Sequence, residues 1–223
     1  MNPRRFVAVV LCLAGLPARP APAMAAVWAL VDVTVSNTSS ISLTTTSGKS
    51  VGRLPDGSLY TVWYERRTQN SSSIRGARRS SGGAWSVEPV ISGGDSLSLN
   101  PSMVVAADGG VHVVWEDRRH NNMEIYYRHR SSSGSWEPEE RLTAEGSTSQ
   151  TPVLAAGASG RVHLVWSDGS TGNLEIHYRH RDPDGTWSPD VALTSDQGPS
   201  ENPAIEVDAA GNLHLVWQDT VLN

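Results

Sequence analysis

Apolar residues in this chain come in short runs that return at a fixed interval. Leu59-Tyr60-Thr61-Val62-Trp63, Val111-His112-Val113-Val114-Trp115, Val162-His163-Leu164-Val165-Trp166 and Leu213-His214-Leu215-Val216-Trp217 each end on tryptophan. Their β-branched and aromatic side chains suit a pleated strand. No segment repeats its apolar residues every 3.6 positions, as an amphipathic helix would. The pattern predicts an all-β chain.

The interval is about 51 residues. Trp115, Trp166 and Trp217 are spaced by 51, with Trp63 lying 52 before Trp115, and Trp85, Trp136 and Trp187 form a second series spaced by 51. Pro101, Pro152 and Pro203 keep the same time, as do His112, His163 and His214, and Asp117, Asp168 and Asp219. Each unit reads as four short strands. In the second they run from Ser102 to Ala106, Val111 to Trp115, Glu124 to Arg130, and from Trp136 through Arg141-Leu142-Thr143. The third repeats them as Val162–Trp166, Glu175–Arg181 and Trp187–Thr194 after its own first strand. Four strands in about fifty residues is the grammar of a β-propeller blade.

The copies run 49–100, 101–151 and 152–202, and a fourth, 203–223, stops after its second strand. A ring usually needs about 4–8 blades. The expectation is a fragment of a six- or seven-bladed ring, closed by further blades in cis or by a second chain. Residues 26–48, with an alternating strand at Val31–Val35, are expected to supply a partial or ring-closing blade.

Composition narrows the function classes. Twenty Gly and thirteen Pro argue against a helical bundle, and the single Cys excludes a disulfide framework. A net charge of −5 argues against nucleic-acid binding. No apolar run reaches the roughly 18–20 residues that span a bilayer. Arg4 and Arg5, the apolar stretch Phe6–Leu16 and Ala23-Met24-Ala25 read as a secretory signal, residues 1–25, cut after Ala25. Cleavage removes Cys12 and three of the 18 basic residues but none of the 23 acidic ones, so the net falls from −5 to −8. The mature chain is expected to be secreted, periplasmic or on the cell surface.

The unit Val162-His163-Leu164-Val165-Trp166-Ser167-Asp168, with Asn173, Glu175-Ile176-His177-Tyr178 and Asp184-Gly185-Thr186-Trp187-Ser188-Pro189, resembles the BNR or Asp-box repeat of sialidase-like propellers. The turns before Trp85, Trp136 and Trp187 are shorter than the family's Ser-x-Asp-x-Gly-x-x-Trp, and only the third keeps an Asp before its Gly. The resemblance implies a turn that is structural and lies away from the catalytic face. It also implies, in an active sialidase, three arginines on the substrate carboxylate, a Tyr–Glu pair and an Asp acid/base. Leu59 to Arg67 resembles the family's first-blade strand with its following Arg. The loop Thr68–Ser73 has no Asp, so an intact sialidase site is not expected and no residue is assigned a catalytic role.

Repetition separates frame from function. Trp63, Trp85, Trp115, Trp136, Trp166, Trp187 and Trp217 recur and are expected to fill blade interiors. His112, His163 and His214 are expected as buried, hydrogen-bonded blade histidines. Asp117, Asp168 and Asp219 are expected to cap turns and pair with third-strand arginines; an oxygen-ligand calcium site with Asn122, Glu124, Asn173 and Glu175 is the alternative. Arg128-His129-Arg130 and Arg179-His180-Arg181 read as charged edge strands that discourage pairing with another chain. Arg66, Arg67, Arg118 and Arg119 sit in loops and give way to Gly169-Ser170 in the third copy. With Glu116, His120 and Asn121, and Tyr64 at the rim, they form the candidate ligand-binding groove. No metal or cofactor is expected. The expected partners are glycans or a cell-surface protein, bound by a non-catalytic module. The alternatives are a sialidase-type hydrolase completed by further blades, and a structural scaffold.

Overall fold

A computed structural model describes residues 41–43, 48–144, 146–195 and 197–220. The signal segment 1–25 and the strand expected at Val31–Val35 lie outside them. The described residues contain no helix, and hence none long and apolar enough to cross a membrane. They build four antiparallel sheets in chain order. The first holds β1 (Ile41–Leu43), β2 (Val51–Arg53), β3 (Leu59–Thr68), β4 (Ser71–Arg79) and β5 (Trp85–Val87). The second holds β6 (Ser98–Val105), β7 (Val111–Asp117), β8 (Glu124–Arg130) and β9 (Glu140–Arg141). The third holds β10 (Ser149–Ala156), β11 (Val162–Asp168), β12 (Glu175–Arg181) and β13 (Val191–Ala192), and the fourth β14 (Ser200–Val207) and β15 (Leu213–Asp219). β1 and β2 pair with opposite ends of β3 and share the place that β6 and β10 fill alone.

The repeat is visible as sheets, but the first strand starts earlier than the sequence suggests. β6, β10 and β14 begin ahead of Pro101, Pro152 and Pro203, so the copy boundaries fall inside strands. Each carries a bulge there, with Asn100 (φ 48°), Thr151 (φ 53°) and Asn202 (φ 53°) in the left-handed region. A bulge leaves a residue unpaired, so a proline with no N–H to donate is tolerated inside the strand. The fourth strands are shorter than expected: Trp136 and Trp187 only bridge to Arg130 and Arg181, outside β9 and β13.

The sheets stack face to face through three apolar seams. Trp115, Val113 and Met103 pack with Tyr60, Val62 and Ile74 between the first two sheets. Trp166 and Leu164 pack with Val114, Ile125 and Tyr127 between the second and third. Ile205 packs with Val153, Val165 and Ile176 between the third and fourth. The first strands touch one another, β6 against β10 and β10 against β14. Lys49, just ahead of β2, also ion-pairs with Glu206 of β14. These inner edges therefore converge on a common axis.

At the turn end, the second and third blades each reach back into the one before. Arg130 grips Glu88 with Nη2–Oε1 at 2.6 Å and lies over the Tyr60 ring at 5.4 Å. Tyr60 and the Trp136 indole donate to the same carboxylate at 2.9 and 3.2 Å. One seam on, Arg181 lies over the Tyr127 ring at 5.4 Å and Trp187 meets it edge-on at 5.1 Å. The Arg-His-Arg runs are thus contacts between blades. They are not free edges, because Glu137 N and Ser188 N donate to His129 O and His180 O at 2.9 and 2.8 Å, and Trp136 and Trp187 bridge to Arg130 and Arg181.

The blade histidines follow the expectation in two copies. His112 bonds to the Tyr127 hydroxyl at 2.7 Å and His163 to that of Tyr178 at 2.8 Å, both buried. Tyr60 takes that place in the first blade, above Gly76, where an added Cβ would lie 2.6 Å from its hydroxyl. His214 departs from the expectation: it is exposed and bonds to Asp208 at 2.9 Å, as β15 has no third strand beside it among the described residues.

Candidate functional site

The loops after each second strand and those leading into each first strand meet at the end opposite the turns. Arg118 N donates to Leu97 O at 3.1 Å, and Ser72 N to Ser96 O at 3.0 Å. Between the first two blades these loops enclose an open cleft of about 470 Å³ lined by Asn70, Ser96, Leu97, Arg118 and Asn121. Asn121 has φ 77°, a left-handed turn that asparagine tolerates better than most residues. The equivalent loop position in the third blade is Gly172, φ 105°.

The expected site residues divide. Arg118 and Asn121 line the cleft, and the Arg118 guanidinium has no ion pair or hydrogen bond among the described residues. Arg66 and Arg67 are exposed; Arg67 bonds Ser73 Oγ at 2.9 Å and lies 3.6 Å from Asp95. His120 is exposed and stacks with Tyr126 at 6.4 Å. Arg119 is committed inward. It bonds Asp117 Oδ2 at 2.7 Å and Glu139 Oε2 at 2.8 Å, with its guanidinium 4.2 Å from the Tyr126 ring centre. Those carboxylates hold its charge more firmly than usual.

Asp117, fully buried, also accepts from Ser96, Ser98 and the Trp115 indole, at 2.5, 2.8 and 3.2 Å. Burial opposes its charge, yet the donors outweigh burial and its pKa falls. It caps its turn by accepting Arg119 N at 3.0 Å, as expected, but the arginine it pairs with comes from its own loop and not from the third strand. Third-strand Arg75 lies instead 3.3 Å from Glu65, which stands at the Asp117 position in the first blade.

Glu116 points the other way. Strand alternation turns it into the seam with the third blade, where Asn100 Nδ2 and Thr151 N donate to Oε1 at 2.9 and 2.6 Å. Burial pushes its pKa up, and those two donors only partly offset it. Glu116 therefore ties together the bulges of two first strands.

Sequence reasoning missed Asn70, Ser96 and Leu97. They come from a hairpin tip and an inter-blade connection, and only the stacking of sheets brings them to Arg118. No aromatic ring lines the cleft. The tryptophans fill the frame instead: Trp115 and Trp166 are fully buried, with indole N–H groups on Asp117 and Asp168 at 3.2 and 2.9 Å.

No family model matches the chain, and no curated protein matches it. Solved structures do. A protein of unknown function from Dyadobacter fermentans aligns with TM-score 0.59 and 14% identity, over 77% of this chain and 52% of that one. A thermostable family-43 glycoside hydrolase aligns with TM-score 0.50 and 13% identity, over 76% of this chain and 64% of that one. So does a structure from the GH130 family of mannoside phosphorylases, which contains glycoside hydrolases targeting β-1,2 mannosidic linkages in Candida mannan. It aligns with TM-score 0.50 and 13% identity, over 78% of this chain and 60% of that one. The chain thus spans about half the length of the first relative and under two thirds of the others. At these identities the likeness establishes the fold: blades of the propeller type that glycoside hydrolases use.

Proposed function

We propose that this chain is a sialidase-like propeller segment, exported after cleavage near Ala25, that binds carbohydrate without turning it over. The observation that carries the reading is the cleft between the first two blades. Its lining sets two amides and an uncommitted guanidinium around one leucine, a mix suited to hydroxyl-rich rings with apolar patches. One seam on, the corresponding positions are Asn121, Ser147, Thr148, Gly169 and Gly172, which offer neither the guanidinium nor the leucine. The fold of the glycoside hydrolases agrees with a carbohydrate role.

A glycan array probed with the mature chain tests the reading. A bound glycan should lose roughly tenfold or more in affinity when Arg118→Ala removes the guanidinium, as charged hydrogen bonds are worth about 1.5–3 kcal/mol. Asn121→Gly, which keeps the left-handed backbone, should weaken binding less. An empty array, or a glycan indifferent to Arg118→Ala, rejects the proposal. Turnover of a fluorogenic sialoside above a heat-killed control would replace it with the hydrolase reading.

A further inference from the structure

The third blade keeps the carboxylates of the second and lacks the cations that neutralise them. Asp168 stands directly opposite Glu175 in the β11–β12 ladder, as Asp117 stands opposite Glu124 in β7–β8. Opposed residues share a face, with Cβ atoms about 4.5–5.5 Å apart, and like charges there repel. In the second blade Arg119 binds Asp117 at 2.7 Å and Arg141 binds Glu124 at 2.8 Å. One repeat on, those arginines are Ser170 and Ala192.

The gap leaves marks on the atoms around it. Asp168 keeps Ser149 Oγ at 2.7 Å, the Trp166 indole at 2.9 Å and Ser170 N at 2.9 Å. Ser147, which stands where Ser96 bonds to Asp117, has a buried hydroxyl with no partner. Glu175 is only 1% exposed, and its Oε2 has no hydrogen bond. His177, at the Tyr126 position, bonds Asp190 through Nδ1 at 2.9 Å and has a buried, unpartnered Nε2. Buried polar atoms are nearly always paired, so this group marks a seat for a donor.

A planar donor suits it best. Among the described residues no three metal-binding side chains converge. A guanidinium needs only the two opposed carboxylates and brings five N–H donors. We propose that the loop end of the third blade is a docking site for an arginine side chain of a partner polypeptide, seated between Asp168 and Glu175 with Asp190 at the mouth. Ser170 and Ala192 are exposed, and Asp190 presents 43% of its side chain to solvent. The acidic mature chain attracts a basic partner over longer range.

Isothermal titration of the mature chain with the blocked peptide acetyl-Leu-Arg-Leu-amide tests this. The citrulline peptide, the lysine peptide and argininamide serve as controls. The arginine peptide should bind at least tenfold more tightly than each control. Ala192→Arg puts the second blade's own cation into the seat; it should abolish arginine-dependent binding while raising the melting temperature. Equal binding of the arginine and citrulline peptides overturns the proposal, as does an affinity unchanged by Ala192→Arg. Argininamide binding as tightly as the peptide overturns the polypeptide partner. If Ala192→Arg does not fold, Ser170→Arg should block the peptide from the Asp168 side, and unchanged affinity in that variant is equally fatal.

Discussion

The second and third blades carry the same frame and finish it differently at the loop end. Both place a fully buried tryptophan on the second strand with its N–H on an aspartate two residues later. Both set a histidine against a third-strand tyrosine and send an arginine back over the preceding blade. At the loop end the second blade closes Asp117, Glu124 and Glu139 with Arg119 and Arg141, whereas the third leaves Asp168 to hydroxyl, indole and backbone N–H donors and Glu175 Oε2 without a hydrogen bond. His177 is the one side chain that answers this charge. Burial works against its protonation, but Asp190, Asp168 and Glu175 outweigh burial and raise its pKa. The difference teaches that the repeat specifies packing, while charge balance at the loops is free to diverge.

The largest expected break in that comparison is Arg119→Ala. It strands the fully buried Asp117 and half-buried Glu139, and removing one partner from a buried pair costs about 3–5 kcal/mol. Arg119 is itself 22% exposed, so a loss of about 3 kcal/mol is expected in urea unfolding. Ser170→Ala, the same position in the third blade, removes a neutral hydroxyl donor to Asp168 but keeps the backbone amide, and should cost only about 1 kcal/mol. Similar losses at both positions would mean the two loop ends are not electrostatically distinct.

Acid should separate the blades next. Burial, then the neighbouring His129 and Arg181, hold His112 at about 3, while burial with His180 and Arg161 holds His163 at about 4. Both lie below the 6.5 of an unfolded histidine, so the unfolded chain takes up protons first. Their contribution is whole above pH 6.5 and is lost as pH falls toward those values. At pH 5 His112 alone should cost about 2 kcal/mol. At pH 5 His163 costs nearly as much, and the two part only as pH nears their folded values, so melting curves followed from pH 7 down to 3 should flatten more in His112→Gln than in His163→Gln. The reverse order would contradict the deeper burial of the second blade.

The smallest effect concerns the bulges. Asn100 and Asn202 accept the left-handed backbone readily, but β-branched Thr151 at φ 53° does not. Thr151→Asn keeps the N–H that Glu116 accepts and should gain about 0.5 kcal/mol. A net loss would show that the Thr151–Ser167 hydroxyl contact at 3.0 Å outweighs the strain.

The tryptophan spacing made the blades legible because packing repeats wherever the frame does, and the third strands Glu124–Arg130 and Glu175–Arg181 fall where the pattern puts them. The bulge before each proline was not legible, since an X-Pro step reads as a boundary and only the ladder shows the strand passing through it. The loop arginines were visible as non-repeated residues, but their fates were not. Arg118 and Arg119 are adjacent and chemically identical, and only the position of Asp117 and Glu139 decides which turns inward. Asn70, Ser96 and Leu97 carry no signal of their own, because the cleft they line arises from contact between units.

The backward grip at the turn end has a consequence for how the molecule is made. Glu88 receives its arginine from a position 42 residues later. At synthesis rates of about 5–20 residues per second, that interval lasts roughly 2–8 seconds. Until those residues arrive, Tyr60 and Glu88 lack the guanidinium and the indole that cover them in the finished fold. A chain folding from its N-terminus would therefore finish each blade only when the next third strand arrives, with Arg130 on Tyr60 and then Arg181 on Tyr127.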